Sequence, residues 1–280
     1  MEFGMIPYDN LTEDTFQLQE VEQPYLSGIK NNKPQFYLGL SRWTYKEEEK
    51  KKSSSFPQPG TLTFYSQYFN SIELDATHYD IPNADKCDMW YKAAKNNDFR
   101  FCPKFHKSIS HEGVVDVHKF GVTKGFMQTI MNLKEKLGTS FLQLKEEYSI
   151  DTKDKLINYL KLIPTSFNLS IELRHPDWFQ NRDSFNSFVK DLNSLGKGLV
   201  ITDSPGRRDA VHMKLSNSTA FIRFNCQGDH ELDLFRIDEW RKRLRSLYLQ
   251  GLQQCYFFLH IHNKEYEDDF IKYVQHELKF

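Results

Sequence analysis

From Phe36 onward, short runs that are apolar at nearly every position take turns with longer stretches in which apolar residues recur every three or four positions. The short runs are Phe36–Leu40, Ser71–Asp75, Phe99–Lys104, Ser140–Leu144, Leu169–Leu173, Gly198–Asp203, Ala220–Phe224 and Tyr256–His260. Their length and their content of Phe, Ile, Tyr and Val predict eight strands. Between them lie the sets Leu62/Tyr65/Phe69, Cys87/Trp90/Ala94, Phe126/Ile130/Leu133/Leu137, Leu156/Leu160/Ile163, Phe185/Val189/Leu192, Ile237/Trp240/Leu244/Leu247 and Tyr266/Phe270/Val274/Leu278. Each set lays one apolar stripe along a helix. The segment from Ser204 to Thr219 has no such stripe, so one crossover is predicted to be degenerate.

Strands that are apolar on both faces and joined by helices are predicted to form a parallel sheet covered by helices, because parallel neighbours cannot be joined by tight turns. Eight such units favour an α/β, TIM-barrel-like (β/α)8 closed parallel barrel over an open sheet. The 280-residue length accommodates it as one domain, assigned here to residues 35–280. The polar, weakly periodic residues 1–34 are expected to be an N-terminal extension packed on the surface. The Lys46–Lys52 charge run, followed by serines and Pro57-Gln58-Pro59-Gly60, is expected to be a solvated loop.

With 37 basic and 38 acidic side chains, the formal charge is −1, which supplies no overall drive toward nucleic acid or anionic lipid. The basic run Arg236–Arg245 reads as a solvated helix face, and a nucleic-acid contact there is the minor alternative. Met1 to Asn10 lacks the basic and apolar regions of an export signal, and no apolar run approaches the ~20 residues that span a bilayer. Cys87, Cys102, Cys226 and Cys255 lie far apart, as buried reduced thiols do. A cytoplasmic location away from any membrane is expected. The chain has no G-x-S-x-G elbow and no glycine-rich phosphate loop, so no nucleotide cofactor is predicted.

In such a barrel the chemistry sits at the C-terminal ends of the strands. Polar residues collect there: Trp43 after the first strand, and Glu73 and Asp75 with His78-Tyr79 at the second. Further round lie Lys104 with His106 and His111, then Gln143, Glu172 with Arg174, His175 and Trp178, and Asp203. Arg223 with Asn225 and His260 with His262 and Asn263 complete the set. Carboxylates inside a closed barrel must be met by cations, and Lys104, Arg174 and Arg223 are the partners at hand. Several of these oxygen and imidazole donors suit a divalent metal, which stays open as an alternative, although the only metal-like spacing is the isolated pair His260-Ile261-His262.

The segments L-G-L-S-R-W-T-Y (38–45), S-I-E-L-D-A-T-H-Y-D-I-P (71–82), F-R-F-C-P-K (99–104), I-S-H (109–111), L-G-T-S-F-L-Q-L (137–144), I-E-L-R-H-P-D-W-F (171–179), T-D-S-P (202–205) and F-I-R-F-N (221–225) occur in order. The chain thereby resembles the domain of unknown function 72 family, the YecE-like proteins, from about Phe36 to its end. The resemblance implies a TIM-barrel-like fold and no established reaction. Carried over, the matching polar positions are Trp43, Tyr45, Glu73, Tyr79, Lys104, His111, Gln143, Glu172, Arg174, His175, Trp178, Asp203 and Arg223. The sequence departs from the family pattern at Arg42, at Asp75 and His78, at Lys145-Glu146 and at His262-Asn263. An acceptor-only aspartate at 75, where the pattern has asparagine, changes what the site offers a ligand.

These readings converge on an enzyme of unassigned reaction that acts by acid–base chemistry on a polar or anionic, phosphorylated or sugar-like small molecule. Glu172 or Glu73 is expected to transfer the proton, with His175 or His111 as the second acid or base. Lys104, Arg174 and Arg223 are expected to hold the ligand, with Gln143, Asp203, Tyr79 and Asn263 as further polar contacts and Trp43 and Trp178 as walls. The alternatives are a non-catalytic phosphate-ligand or nucleic-acid binding protein and a metal-dependent hydrolase.

Overall fold

Eight parallel strands run in the order β3-β2-β1-β8-β7-β6-β5-β4 in the structure, a computed structural model that describes residues 13–20, 22–43, 61–112 and 115–279. They are β1 (Gln35–Leu40), β2 (Ser71–Leu74), β3 (Arg100–Pro103), β4 (Ser140–Gln143), β5 (Leu169–Glu172), β6 (Gly198–Asp203), β7 (Thr219–Asn225) and β8 (Gln254–His260). The sheet curls until its outer strands meet. Parallel bridges join Phe101 to Leu137 and Lys104 to Phe141, and the Phe105 amide donates to the Phe141 carbonyl at 2.9 Å. The fold is therefore an α/β (β/α)8 barrel, as the strand and helix periodicities predict. Tyr45 and the Lys46–Lys52 and Pro57–Gly60 segments lie outside the described residues.

Alternation along each strand sorts the side chains into two cores. Tyr37, Cys102, Phe141, Val200, Phe221, Tyr256 and Phe258 fill the barrel interior. Leu38, Leu40, Ile72, Leu74, Ile171, Ile201, Ile222, Phe257 and Leu259 face outward into a larger core shared with the helices. The helices begin where side chains cap them. Asn83 accepts from the Lys86 amide at 2.8 Å, Asn181 from Ser184 at 3.0 Å and Asp229 from Leu232 at 3.0 Å. Each cap contributes about 1 kcal/mol. These caps start the helices Ala84–Ala93, Arg182–Ser194 and His230–Leu249.

Two predicted details differ. The stripe Phe126/Ile130/Leu133/Leu137 does not form one helix: an α-helix over Phe120–Ile130 tightens into a 3-10 segment, Met131–Lys136. Lys134 leaves helical geometry there, with φ 52° and ψ −131°, and frees Leu137 to bridge β3. The crossover after β2 carries two helices, Ala76–Tyr79 and Ala84–Ala93, so Asp75 ends up in a turn at the barrel rim.

The crossover between β6 and β7 has only a 3-10 turn, Arg208–Ala210. The N-terminal segment packs beside it. Phe16 is buried under the Arg208 and Arg236 guanidiniums, 4.9 and 5.6 Å from its ring centroid. Arg243 donates to the Leu18 carbonyl at 2.6 Å, and the Gln23 side chain accepts from the Leu215 amide at 3.0 Å.

Gly39 marks where β1 and β2 come closest, since a Cβ there would collide with the Ser71 carbonyl oxygen. Gly39→Ala is expected to lower unfolding stability by about 1–3 kcal/mol through overpacking. Urea denaturation measures this, and an unchanged midpoint would show that the strands can part at no cost.

Candidate functional site

An inward-facing polar layer is formed by Glu73 on β2, Gln143 on β4, Glu172 on β5, Thr202 on β6, Arg223 on β7 and His260 on β8. They sit directly on the aromatic interior, with the Arg223 guanidinium 5.2 Å from the Phe141 ring centroid. Arg223 organises the layer. Its Nε and Nη2 donate to the two oxygens of Glu73 at 2.9 and 2.6 Å, a bidentate pair. Its Nη1 donates to Glu172 Oε2 at 2.8 Å and to Gln143 Oε1 at 3.2 Å. Glu172 Oε1 accepts from Thr202 Oγ1 at 2.8 Å and pairs with Arg174, and His260 Nε2 lies 3.2 Å from Glu73 Oε2.

Both glutamates are fully buried. Burial alone would raise their pKa values, but the arginines, joined by His260 for Glu73, outweigh it and hold both carboxyls below the usual range. Arg223 balances the same way: burial opposes its charge, and Glu172 and Glu73 hold its pKa well above normal. Carboxylates so engaged are ionised, and each of their oxygens accepts from or pairs with a neighbouring group, which suits both glutamates to anchoring the arginines.

A second tier lies above. Arg174, only 4% exposed, donates to Gln143 Oε1 at 3.2 Å and pairs with Glu172, while burial lowers its pKa to about 10. Lys104 Nζ stands 3.5 Å from Asp75 Oδ1. That oxygen is buried and accepts no hydrogen bond among the described residues, and burial followed by the charge of Glu73 raises the Asp75 pKa.

Two imidazoles stand beside this pair, their ring centroids 4.7 Å apart and their planes at 72°. His78 Nδ1 lies 2.9 Å from the Phe105 carbonyl, and a carbonyl only accepts, so Nδ1 carries the proton. His111 Nδ1 is 2.7 Å from Ser110 Oγ. Burial is the largest influence lowering both pKa values. For His111, the charges of His78, Lys104, Lys145 and Arg174 add to it, and the pKa falls to about 4. At neutral pH this imidazole is uncharged and surrounded by cations.

The remaining predicted positions separate. Tyr79 is at the rim, 71% exposed, with its ring 5.1 Å from His78. His175 accepts from the Asp177 amide at 3.2 Å, and Asn263 donates weakly to the Gly228 carbonyl at 3.4 Å. Trp43 packs edge-on against Trp90 at 6.0 Å. Trp178 does not wall the mouth: it is fully buried against Phe188 in the outer layer, and its indole donates to the Tyr148 carbonyl at 2.6 Å. Asp203 also turns away from the interior, because its neighbour Thr202 takes the inward position. It accepts from Arg236 at 2.8 Å and Trp240 at 2.6 Å and pairs with Arg208.

The basic run on the His230–Leu249 helix is divided: Arg236 and Arg243 are buried, Arg241 is partly exposed, and Lys242 and Arg245 face solvent. Arg236 bonds Asp203 and Asp233, Arg243 bonds Leu18, and Arg241 pairs with Glu277 at 2.8 Å. Sequence reasoning gave no role to Thr202, counted His260 and His78 among the polar residues at strand ends and His260 among the donors that suit a metal, and treated Lys145, like His78, as a departure from the family pattern. His260 shares strand parity with Tyr256 and Phe258, whereas the uniformly buried β6 gives no alternation that marks Thr202. Among the described residues, no group of three or more His, Cys, Asp or Glu side chains is placed to hold a metal ion.

Fold and site together define a (β/α)8 barrel protein with a buried, arginine-centred charge network beneath a cationic mouth. The chain belongs to the family described as protein of unknown function DUF72, which matches residues 37–279. It is 26% identical over 244 residues to the UPF0759 protein YecE of Escherichia coli strain K12, covering 80% of this chain and 85% of that protein. Among solved structures it is similar to a DUF72 family protein from Enterococcus faecalis V583, with a TM-score of 0.68 and 16% identity. That match covers 89% of this chain and 100% of the other. A DUF72 family protein from Thermotoga maritima MSB8 aligns with a TM-score of 0.60 and 18% identity over 88% of this chain and 100% of its own. At these identities the structural likeness speaks for the fold alone. Among the described residues, no helix is long and apolar enough to cross a membrane.

Arg223→Met is expected to cost about 3–5 kcal/mol at neutral pH, because it leaves two buried carboxylates without their shared cation. In the wild type, the stabilisation from Glu73 and Glu172 is present above their unfolded pKa near ~4.3 and is lost as pH falls through the lower folded values. In the variant, burial pushes these pKa values up, so protonation relieves the strain and the deficit shrinks as pH falls from 7.5 to 5. Urea unfolding at the two pH values measures this. An equal deficit at both would show that the guanidinium acts by packing alone.

Proposed function

We propose that the barrel mouth is the active site of an enzyme that performs acid–base chemistry on an anionic, phosphorylated or sugar-like small molecule. The observation that carries this reading is an uncharged imidazole, His111, set against a second one, His78, within the field of Lys104, Lys145 and Arg174. Clustered titratable groups shifted by burial and by specific partners are a mark of catalytic sites. In this reading, Lys104 and Arg174 hold the acid group of the ligand. Glu172 and Gln143 fix Arg174, and Tyr79 flanks the entrance.

With Nδ1 engaged by Ser110, His111 Nε2 is the nitrogen left to exchange a proton with substrate. An empty site keeps His111 a weak base, because the surrounding cations oppose its protonation. A bound anion offsets those charges and raises the pKa toward the working range. Ligand binding and base activation are thus one electrostatic event. Proton abstraction, isomerisation, elimination and hydrolysis all suit this arrangement. Capture of a phosphorylated ligand without turnover would use the same cations and leave the His111–His78 pair without a task.

Histidine NMR is expected to show His111 titrating near pH 4 without ligand and at a higher pH in saturating inorganic phosphate. In Lys104→Met the unliganded midpoint should rise and the phosphate effect should diminish. On a panel of sugar phosphates and hydroxy acids, His111→Asn is expected to lower kcat by at least about 100-fold with KM little changed. Wild-type turnover by His111→Asn would remove this residue from the chemistry, and phosphate binding without any turnover would leave ligand capture as the function.

A further inference from the structure

The missing helix between β6 and β7 leaves a cavity on the flank of the barrel, lined by none of the residues assigned to the mouth. It opens between the N-terminal segment, the Arg182–Ser194 helix and residues 209–215, and its volume is about 860 Å³. Small-molecule sites range from about 300 to 1,000 Å³. Tyr25, Phe179, Phe185 and His212 supply ring walls, and Arg182 and Lys214 supply two cations.

The walls are ordered by stacking. His212 lies parallel to Phe179, 5.8 Å between centroids at 16°, and edge-on to Phe185 at 5.2 Å. Both of its nitrogens are used: Nε2 meets the Val200 carbonyl at 3.0 Å, and Nδ1 accepts from the Lys214 amide at 3.0 Å. Because a carbonyl only accepts, Nε2 bears the proton and the ring is fixed as a neutral plate.

The cations tell a different story. Lys214 is half-buried, and burial and the charge of Arg182 both work against its ammonium, while Glu22 favours it. Three acids line this cavity: Glu20 pairs with Arg243 at 3.4 Å, Asp209 pairs with Arg207 at 2.9 Å, and Glu22 acts on Lys214 by its charge without an ion pair. Among the described residues, no carboxylate forms an ion pair with Lys214 or Arg182. Two cations that repel each other beside a wall of aromatic rings call for an anion that also presents an apolar plane.

We propose that this flank cavity is a second ligand site, which takes a flat-ringed acid of about mononucleotide size, its ring against Phe179, Phe185 and Tyr25 and its phosphate or carboxylate between Lys214 and Arg182. The site is independent of the mouth and of the chemistry assigned there, so either can fail without the other.

The test is calorimetric titration of the full chain with two probes, adenosine 5′-monophosphate and 2-naphthoate. At least one is expected to bind saturably, and the one that binds shows whether the acid is a phosphate or a carboxylate. Lys214→Gln and Arg182→Gln are each expected to weaken it by about tenfold or more, whereas Lys104→Met, at the mouth, leaves it unchanged. Both Gln changes are at half-buried or exposed positions, and circular dichroism verifies the fold. Failure of both probes to saturate, affinity retained in the Lys214→Gln/Arg182→Gln double variant, or loss in Lys104→Met would each overturn the proposal.

Discussion

One guanidinium sets the terms for the upper half of this barrel. Arg223 is the point where β2, β4, β5 and β7 meet, because four hydrogen bonds from its guanidinium reach Glu73, Glu172 and Gln143 at once. An ion pair sealed from water is weak evidence of net stabilisation, since desolvation consumes most of the Coulombic gain. Its contribution here is geometric. Each partner comes from a different strand, so the bonds form together only when the sheet has closed with the correct stagger. The aromatic layer beneath closes the floor with non-directional contacts, and the charge layer adds the directional ones.

That lower tier lets an upper tier exist. Glu172 spends one oxygen on Arg223 and the other on Thr202 and Arg174, so Arg174 is held at the mouth by a carboxylate that is itself held. Lys104 leans toward Asp75, whose buried Oδ1 accepts no hydrogen bond among the described residues, and the two imidazoles nearby are uncharged. Satisfied groups lie below and under-satisfied groups above, so the lower layer fixes the geometry of the upper one.

The strands and most helices were legible because parallel strands buried on both faces leave apolar runs that nothing else in the chain imitates. The same property hid the facing of individual residues. In β6, Gly198–Asp203 is buried at every position, so no alternation in the sequence separates Thr202, which bonds Glu172, from Asp203, which turns outward to Arg236 and Trp240. Trp178 stands in the most specific motif of the chain, yet its indole anchors the Tyr148 carbonyl outside the barrel. A motif records that a residue is needed and not which face needs it. The meeting of His78 and His111 was illegible for another reason: they lie on the segments that follow β2 and β3, and only the pairing of those two strands brings their rings to 4.7 Å.

Asp75 ties these threads together. At a rim turn beside Lys104, an asparagine, as in the family pattern, would leave the lysine's charge for a ligand at every pH. An aspartate neutralises it whenever ionised. Burial and Glu73 both favour the protonated form of Asp75, while Lys104 and Arg223 favour the ionised form, so the carboxyl is poised between two opposed fields. Under the proposed function, an anion at the mouth would strengthen the first field, disfavour the ionised aspartate and favour proton uptake, which would release Lys104 to pair with the ligand. Asp75 would then couple ligand charge to proton uptake, a coupling that an amide at the same position would lack.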